Sequence, residues 1–287
     1  MTKFQKAQRR KAYIKLAITG TAGSGKTYSA LLLARGLVGK KGRIAVIDTE
    51  NNSSTLYDTL TDFDQCELKP RAGGSFHHQD FSDAIKEAEA AGYDCVIIDS
   101  ASHLWQAILD LKQTMDDSKP SQSFGNWAKA GKDFNAVLQK MLQCNMHVIA
   151  CIRVKMKHEL VDGKVKQLGL DTIMRDGIEY EFTTVFDVKR EDHKASASKD
   201  RTGIFERDGE FLITESTGEK IARWIDGGAD MPEPTPDIAH LAEQIRSQVK
   251  GDSDMTATVK SLCNGKRLEE LPEAMLTNIA KTVGIAV

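Results

Sequence analysis

The stretch Gly20-Thr21-Ala22-Gly23-Ser24-Gly25-Lys26-Thr27 constrains what this chain can fold into more than any other. Its spacing is G-x-x-x-x-G-K-[ST], and its flanks match. Ile14-Lys15-Leu16-Ala17-Ile18-Thr19 before it runs apolar, as a buried strand does, and Tyr28 to Gly36 after it reads as a helix. Strand, glycine loop and helix together make an anion cradle. The glycines let successive backbone N–H groups turn inward on a phosphate, and the helix N-terminus adds partial positive charge. In such a loop Lys26 reaches the β- and γ-phosphates, and the Thr27 hydroxyl holds Mg2+. The pattern predicts bound nucleoside triphosphate and Mg2+, contacted by Gly20, Thr21, Ala22, Gly23, Ser24, Gly25, Lys26, Thr27 and the adjoining Tyr28. The bland alternative, a glycine-rich turn before an ordinary helix, leaves all three fixed positions and both flanks to chance.

Two later strands are expected to end in acids. Arg43-Ile44-Ala45-Val46-Ile47 leads to Asp48-Thr49-Glu50. Ligands of parallel sheets sit at the carboxyl ends of the strands, so Glu50 falls near the phosphate loop. A carboxylate there polarises an attacking water, or else only caps the following turn. Tyr93-Asp94-Cys95-Val96-Ile97-Ile98-Asp99-Ser100 is an apolar run ending in Asp, the Walker B pattern. Asp99 is expected to hold Mg2+ through water, with Ser100 in support.

Further along, Asp80 to Ala91 reads as an amphipathic helix capped by Asp80 or Ser82, with His77 and His78 pointing to opposite sides and no metal site there. Residues 116–126 read as a polar loop with Lys119 and one exposed aromatic, Phe124. Trp127, Ala130, Phe134, Val137, Leu138 and Met141 then recur at helical spacing and read as core. Met146 to Ile152 is another buried strand, followed by the basic run Arg153-Val154-Lys155-Met156-Lys157. Runs on either side of Asp162-Gly163 predict a hairpin, and from Arg153 to Arg175 six Lys/Arg stand against three Asp/Glu. That is either a solvated hairpin or an element that tracks a nucleic-acid backbone, with Lys155, Lys157, Lys164 and Lys166 as the contacts. Phe182 to Val188 is a strand, and a second hairpin is expected around Asp208-Gly209, pairing Ile204–Glu206 with Glu210–Ile213.

The rest of the chain sets the organisation. Residues 1–13 hold Lys3, Lys6, Arg9, Arg10 and Lys11 and no acid, which makes a basic arm. An ATPase core is expected over 14–228, a proline-rich linker over 229–237 around Pro232, Pro234 and Pro236, and a small helical unit over 238–287. That unit carries no evident chemistry and reads as an assembly or partner-binding module. The net charge of -2 gives no global footprint for nucleic acid, so any such site is local. Five cysteines without paired spacing point to reduced thiols and a cytoplasmic protein, and no apolar run reaches membrane-spanning length.

The order of these motifs resembles the RecA-like ATPase core over roughly residues 12–228. Asp48-Thr49-Glu50 looks like the strand end that bears the catalytic glutamate of RecA and the Rad-type recombinases, and Ile97-Ile98-Asp99-Ser100 like their Walker B strand. By position, residues 116–126 and 155–171 resemble their two DNA-binding loops. Ser198-Lys199-Asp200-Arg201 is similar to the lysine-x-arginine finger that acts across a subunit interface in RecA-fold helicases and related recombinases. The chain also looks like phage-encoded AAA-type ATP-binding proteins with a trimmed RecA core, some of them proposed to be single-strand annealing proteins. Arg175-Asp176-Gly177-Ile178-Glu179-Tyr180-Glu181-Phe182 adds to that likeness. It departs from RecA where a polar sensor pair is replaced by Cys151-Ile152-Arg153.

The resemblance implies an α/β fold: a RecA-like P-loop core with a mainly parallel sheet flanked by helices, plus the helical C-terminal unit. It implies an ATP-hydrolysing protein of phage-type DNA recombination that binds or anneals single-stranded DNA in the bacterial host cytosol. The oligomer, ring or filament, would hold ATP at its subunit interfaces. Lys26, Glu50 and Asp99 act within one subunit, and Lys199 and Arg201 complete the neighbour's site. Two other classes stay open: a RecA-fold hexameric motor or loader, and a nucleotide-dependent switch whose C-terminal helices bind a protein.

Overall fold

The structure is a computed structural model that describes residues 12–71, 73–161, 164–205, 208–227, 238–250, 252–263, 268, 271 and 273–285. The basic arm up to residue 11, the Asp162-Gly163 turn and the prolines of the linker lie outside the described residues. Two compact units divide near residue 229.

The first unit is built on a sheet. The strands are β1 (Lys15–Gly20), β2 (Ile44–Asp48), β3 (Asp64–Glu67), β4 (Cys95–Asp99), β5 (His147–Val161), β6 (Lys164–Thr172), β7 (Thr184–Val188), β8 (Lys194–Asp200) and β9 (Phe211–Leu212). Their order is β3-β2-β4-β5-β1-β7-β8-β9, with β6 beside the outer half of β5. The run from β3 to β7 is parallel, and β8 and β9 return antiparallel. β1, β2 and β4 are buried along their whole length. That is why they read as continuous apolar runs rather than alternating ones: a parallel sheet is covered on both faces.

The covering helices are α1 (Lys26–Val38), α2 (His78–Ala90), α3 (Ser102–Ser118), α4 (Ser123–Gln143) and α5 (Glu215–Asp226). On one face Leu31, Leu33 and Leu37 of α1 and Ile221 of α5 pack with Ile18, Ile97 and Phe186. On the other, Phe81 and Ile85 of α2, Leu104 and Ile108 of α3, and Phe134 and Val137 of α4 pack on Ile98, Val148 and Ile152. Each fully buried side chain of this size contributes about 1.5–3 kcal/mol.

Helices α1 and α5 meet through glycine. A Cβ at Gly36 would lie 1.8 Å from the Glu215 carbonyl oxygen, and one at Gly218 would lie 2.2 Å from that of Leu33. Both obstacles are backbone, so no side chain can swing aside. Gly36→Ala is expected to destabilise the protein by about 3 kcal/mol or more. A urea midpoint equal to wild type would disprove the packing.

His147, at the start of β5, is held neutral. Its Nδ1 accepts a hydrogen bond from the Ile14 backbone N–H at 3.0 Å, and Tyr13 packs edge-on against the ring. Burial, then the nearby Lys15 ammonium, lowers its pKa to about 4. The unfolded histidine takes a proton from pH 6.5 downward, and the folded one only near 4. Stability from this group is therefore full above pH 6.5 and is lost as pH falls to 4, by at most about 3 kcal/mol. Urea unfolding should show that slope, and His147→Asn should flatten it.

Several expectations are corrected. Helix α2 starts at His78 and is capped by His77, whose ring accepts from the Gln79 N–H; the two histidine rings stack at 4.4 Å instead of diverging. Residues 116–126 are not a loop: α3 continues to Ser118, a 3-10 turn spans Pro120–Gln122, and Phe124 sits in the first turn of α4. Trp127 is 42% exposed rather than core: its ring stacks on Trp105 of α3 at the surface, 6.3 Å between centroids. β9 pairs with Lys194 and Ala195 of β8, not with Ile204 or Phe205; Glu206 of the expected hairpin lies outside the described residues.

The second unit holds α6 (Ile238–Val249), α7 (Ser253–Cys263) and α8 (Glu273–Thr282), around Leu241, Ile245, Leu276 and Ile279. No helix among the described residues is long and apolar enough to cross a membrane.

Candidate nucleotide site

The phosphate loop leaves the carboxyl end of β1 and enters α1. Gly23 and Gly25 take φ of +77° and +91°, a region that residues with a Cβ rarely enter. No side chain caps α1, so its first-turn N–H groups remain for an anion. The Ser24 hydroxyl is buried and, among the described residues, has no partner. Lys26 is folded back on its own loop, donating to the carbonyls of Gly20 at 3.0 Å and Thr21 at 2.9 Å.

Thr27 and Asp99 are in contact: the hydroxyl donates to the Asp99 Oδ2. A hydroxyl and a carboxylate side by side are hard oxygen donors, which suit Mg2+. Burial is the main reason the Asp99 pKa rises to about 6, with the Thr27 hydrogen bond pulling the other way. A divalent cation would supply charge neutralisation for the buried carboxylate and for phosphate oxygens.

The turn after β2 separates two acids by role. Asp48 accepts from the N–H groups of Glu50 and Ser54, the Ser54 hydroxyl and Gln65, so it shapes the turn. Glu50 is thereby left facing the site, where it pairs with Arg153 of β5, Oε1 to guanidinium 2.7 Å and to Nε 2.9 Å. Thr49 ties the ends of β2 and β4 together. Its N–H donates to the Asp99 carbonyl at 2.7 Å, its hydroxyl accepts from the Ser100 N–H at 2.8 Å, and the His103 ring lies 2.7 Å from that hydroxyl. Gly23, Gly25, Lys26, Thr27, Glu50, Tyr57, Asp99 and Arg153 line one cavity of about 500 Å3. Gly20, Thr21 and Ala22 belong to the same loop, and Tyr28 is exposed, edge-on to Tyr57 at 6.0 Å.

Other expected residues lie elsewhere. Lys199 and Arg201 donate to the carbonyls of Glu179 and Tyr180. β8 runs antiparallel to β7, so Arg201 sits level with Thr183 and Lys15, at the start of β1. Five residues of strand, about 16 Å at 3.3 Å each, separate that level from Gly20. Neither cation reaches its own phosphate loop. Lys119 follows α3, and Phe124 is 92% exposed. Lys155 is exposed on β5, and the side chains of Lys157, Lys164 and Lys166 lie outside the described residues, on strands whose backbones pair as a hairpin.

Tyr57, which lines the cavity, and His103 and His193, which contact Thr49 and Ser24 beside it, escaped sequence reasoning. His193 carries φ +57° and places its Nδ1 3.0 Å from the Ser24 carbonyl. The only local hint was a charged stretch, Lys189 to His193, between two strands.

A glycine cradle, a lysine and a hydroxyl-carboxylate pair at the carboxyl edge of a mainly parallel sheet define a P-loop nucleotide-binding domain of the ATPase class. The AAA domain family model matches residues 12–217, and the chain belongs to that family. A comparison with curated proteins gives no match.

Proposed function

We propose that this protein is a Mg2+-dependent ATPase of phage-type DNA recombination, which binds and anneals single-stranded DNA as an oligomer. The observation that carries this reading is β5. One strand of 15 residues runs from the buried sheet, through Arg153 in the nucleotide cavity, into the hairpin with β6. Lys155 stands exposed two residues beyond Arg153. A change in the Glu50–Arg153 pair would therefore act on the same strand that carries the stretch proposed to hold DNA.

Within the site, Lys26 and the loop N–H groups would hold the phosphates, and Thr27 and Asp99 the cation. Glu50 would orient the attacking water once released from Arg153. Lys199 and Arg201, too far from their own loop, suit a neighbouring subunit's nucleotide. The C-terminal helices would serve assembly or a protein partner. The same placement suits a hexameric motor, which an unwinding assay separates from annealing.

The test is ATP hydrolysis with and without single-stranded DNA across a salt series. Turnover should rise with DNA, and the rise should fade steeply with salt, because phosphate contacts release counterions. Turnover indifferent to DNA at low salt would remove the DNA reading and favour a protein-directed switch.

A further inference from the structure

The carboxyl end of β7 passes directly beneath the phosphate loop. A Cβ at Gly20 would lie 2.8 Å from the Val188 carbonyl oxygen and 2.3 Å from the Ser24 hydroxyl. Glycine there lets β7 approach, and the turn that follows, residues 189–193, comes to lie against the loop.

That turn is anchored at both ends. The Lys189 N–H donates to the Lys194 carbonyl at 2.9 Å, and Lys189 pairs with Glu210. The Lys194 N–H donates to Asp192 at 3.2 Å, and the two side chains pair at 3.4 Å. His193 locks the turn to the loop through its Nδ1 and the Ser24 carbonyl; since a carbonyl only accepts, Nδ1 carries the proton. A Cβ at Gly25 would stand 3.4 Å from that same nitrogen.

Arg190 is what the turn presents. It is exposed, and its Nε lies 3.7 Å from where a Cβ on Gly23 would be. Among the described residues its guanidinium has no ion pair or hydrogen bond. The other cations of the region are engaged: Lys26 with loop carbonyls, Arg153 with Glu50, Lys189 with Glu210 and Lys194 with Asp192. Glu191 and Asp192 are the acids beside it, and Asp192 is taken by Lys194.

We propose that Arg190 is a phosphate-binding residue for the nucleotide of its own subunit, with His193 as the positioning residue that holds its turn against the loop. The inference rests on the nucleotide reading of the loop. The planar guanidinium suits phosphate oxygens because its donors form a fork that matches two acceptors at once. It is distinct from Lys199 and Arg201, whose side chains turn to the carbonyls of Glu179 and Tyr180.

The test is calorimetric titration of the full chain with Mg-ATP and, separately, with inorganic tripolyphosphate. Arg190→Ala should weaken both about tenfold or more, while melting without ligand stays at the wild-type temperature. Arg190→Lys should recover part of the affinity. His193→Ala should weaken binding less than Arg190→Ala, and the double variant should bind no worse than Arg190→Ala alone. A merely structural histidine would add its own loss. Loss for ATP with none for tripolyphosphate would overturn the phosphate assignment. Arg190→Ala binding as wild type, while Lys26→Ala fails to bind, would overturn the proposal and leave the site intact. Normal binding by Lys26→Ala would overturn the nucleotide reading and the proposal with it.

Discussion

Lys26→Ala is expected to lower ATP turnover about a hundredfold or more and to leave the fold in place. The ammonium lies within the loop, held by two of its carbonyls. Phosphates entering the cradle would offer it stronger, charge-assisted partners. Stabilisation of charge that develops on a transferring phosphoryl group is lost with it, and a single such donor is commonly worth a hundred- to a thousandfold. The structural cost is only the two carbonyl contacts, about 1–2 kcal/mol. Steady-state turnover and a urea melt on the same preparation separate the two effects. Turnover at the wild-type rate would mean that phosphates are bound somewhere other than this loop.

Asp99→Asn is expected to move stability and activity in opposite directions. The buried carboxylate has its pKa raised to about 6 from an ordinary 3.8, chiefly by burial. A raised carboxylate pKa means that ionisation costs the folded state: the penalty is absent below about pH 4 and complete above about pH 6. At pH 8 without divalent cation, an uncharged amide should stabilise the protein by up to about 3 kcal/mol, and its oxygen can still accept from Thr27. The same change removes the charge proposed to support Mg2+, so Mg-dependent turnover should collapse. The measurement is thermal unfolding with a chelator at pH 5 and pH 8, set beside turnover with Mg2+. A variant less stable than wild type at pH 8 would show that the carboxylate is not strained by its surroundings.

The two variants also separate binding from chemistry. Lys26 is proposed to act on phosphate, and Asp99 through the cation. If both lose turnover but only Lys26→Ala loses metal-free nucleotide binding, the division of roles in the cavity stands.

What could be read from the amino-acid order was whatever is carried by neighbours in the chain. The loop at 20–27 announces itself because strand, glycines and helix are contiguous. The apolar run ending at Asp99 was legible because a strand buried on both faces needs unbroken apolar residues. β3 was not, since Asp64-Gln65-Cys66-Glu67 sits at the sheet edge, half-exposed, with no apolar signal. Periodicity placed Trp127 in the core, yet period alone does not say whether the neighbouring helix covers a residue fully or only along one face of its ring. The loop expected at 116–126 failed for a related reason. Polar residues on exposed helical turns look like a loop when no buried face is there to give them a period.

The amino-acid order by itself determined the phosphate loop, the acidic strand ends and the α/β class. Only the tertiary structure decided which side chains share the cavity. Arg153 meets Glu50 because β5 lies one strand from β2, across β4, although the two residues are 103 positions apart. His193 reaches Ser24 over 169 positions because β7 runs parallel to β1 and turns back at the loop. Strand pairing is a long-range choice, settled by how buried faces fit together, and short-range patterns carry no record of it.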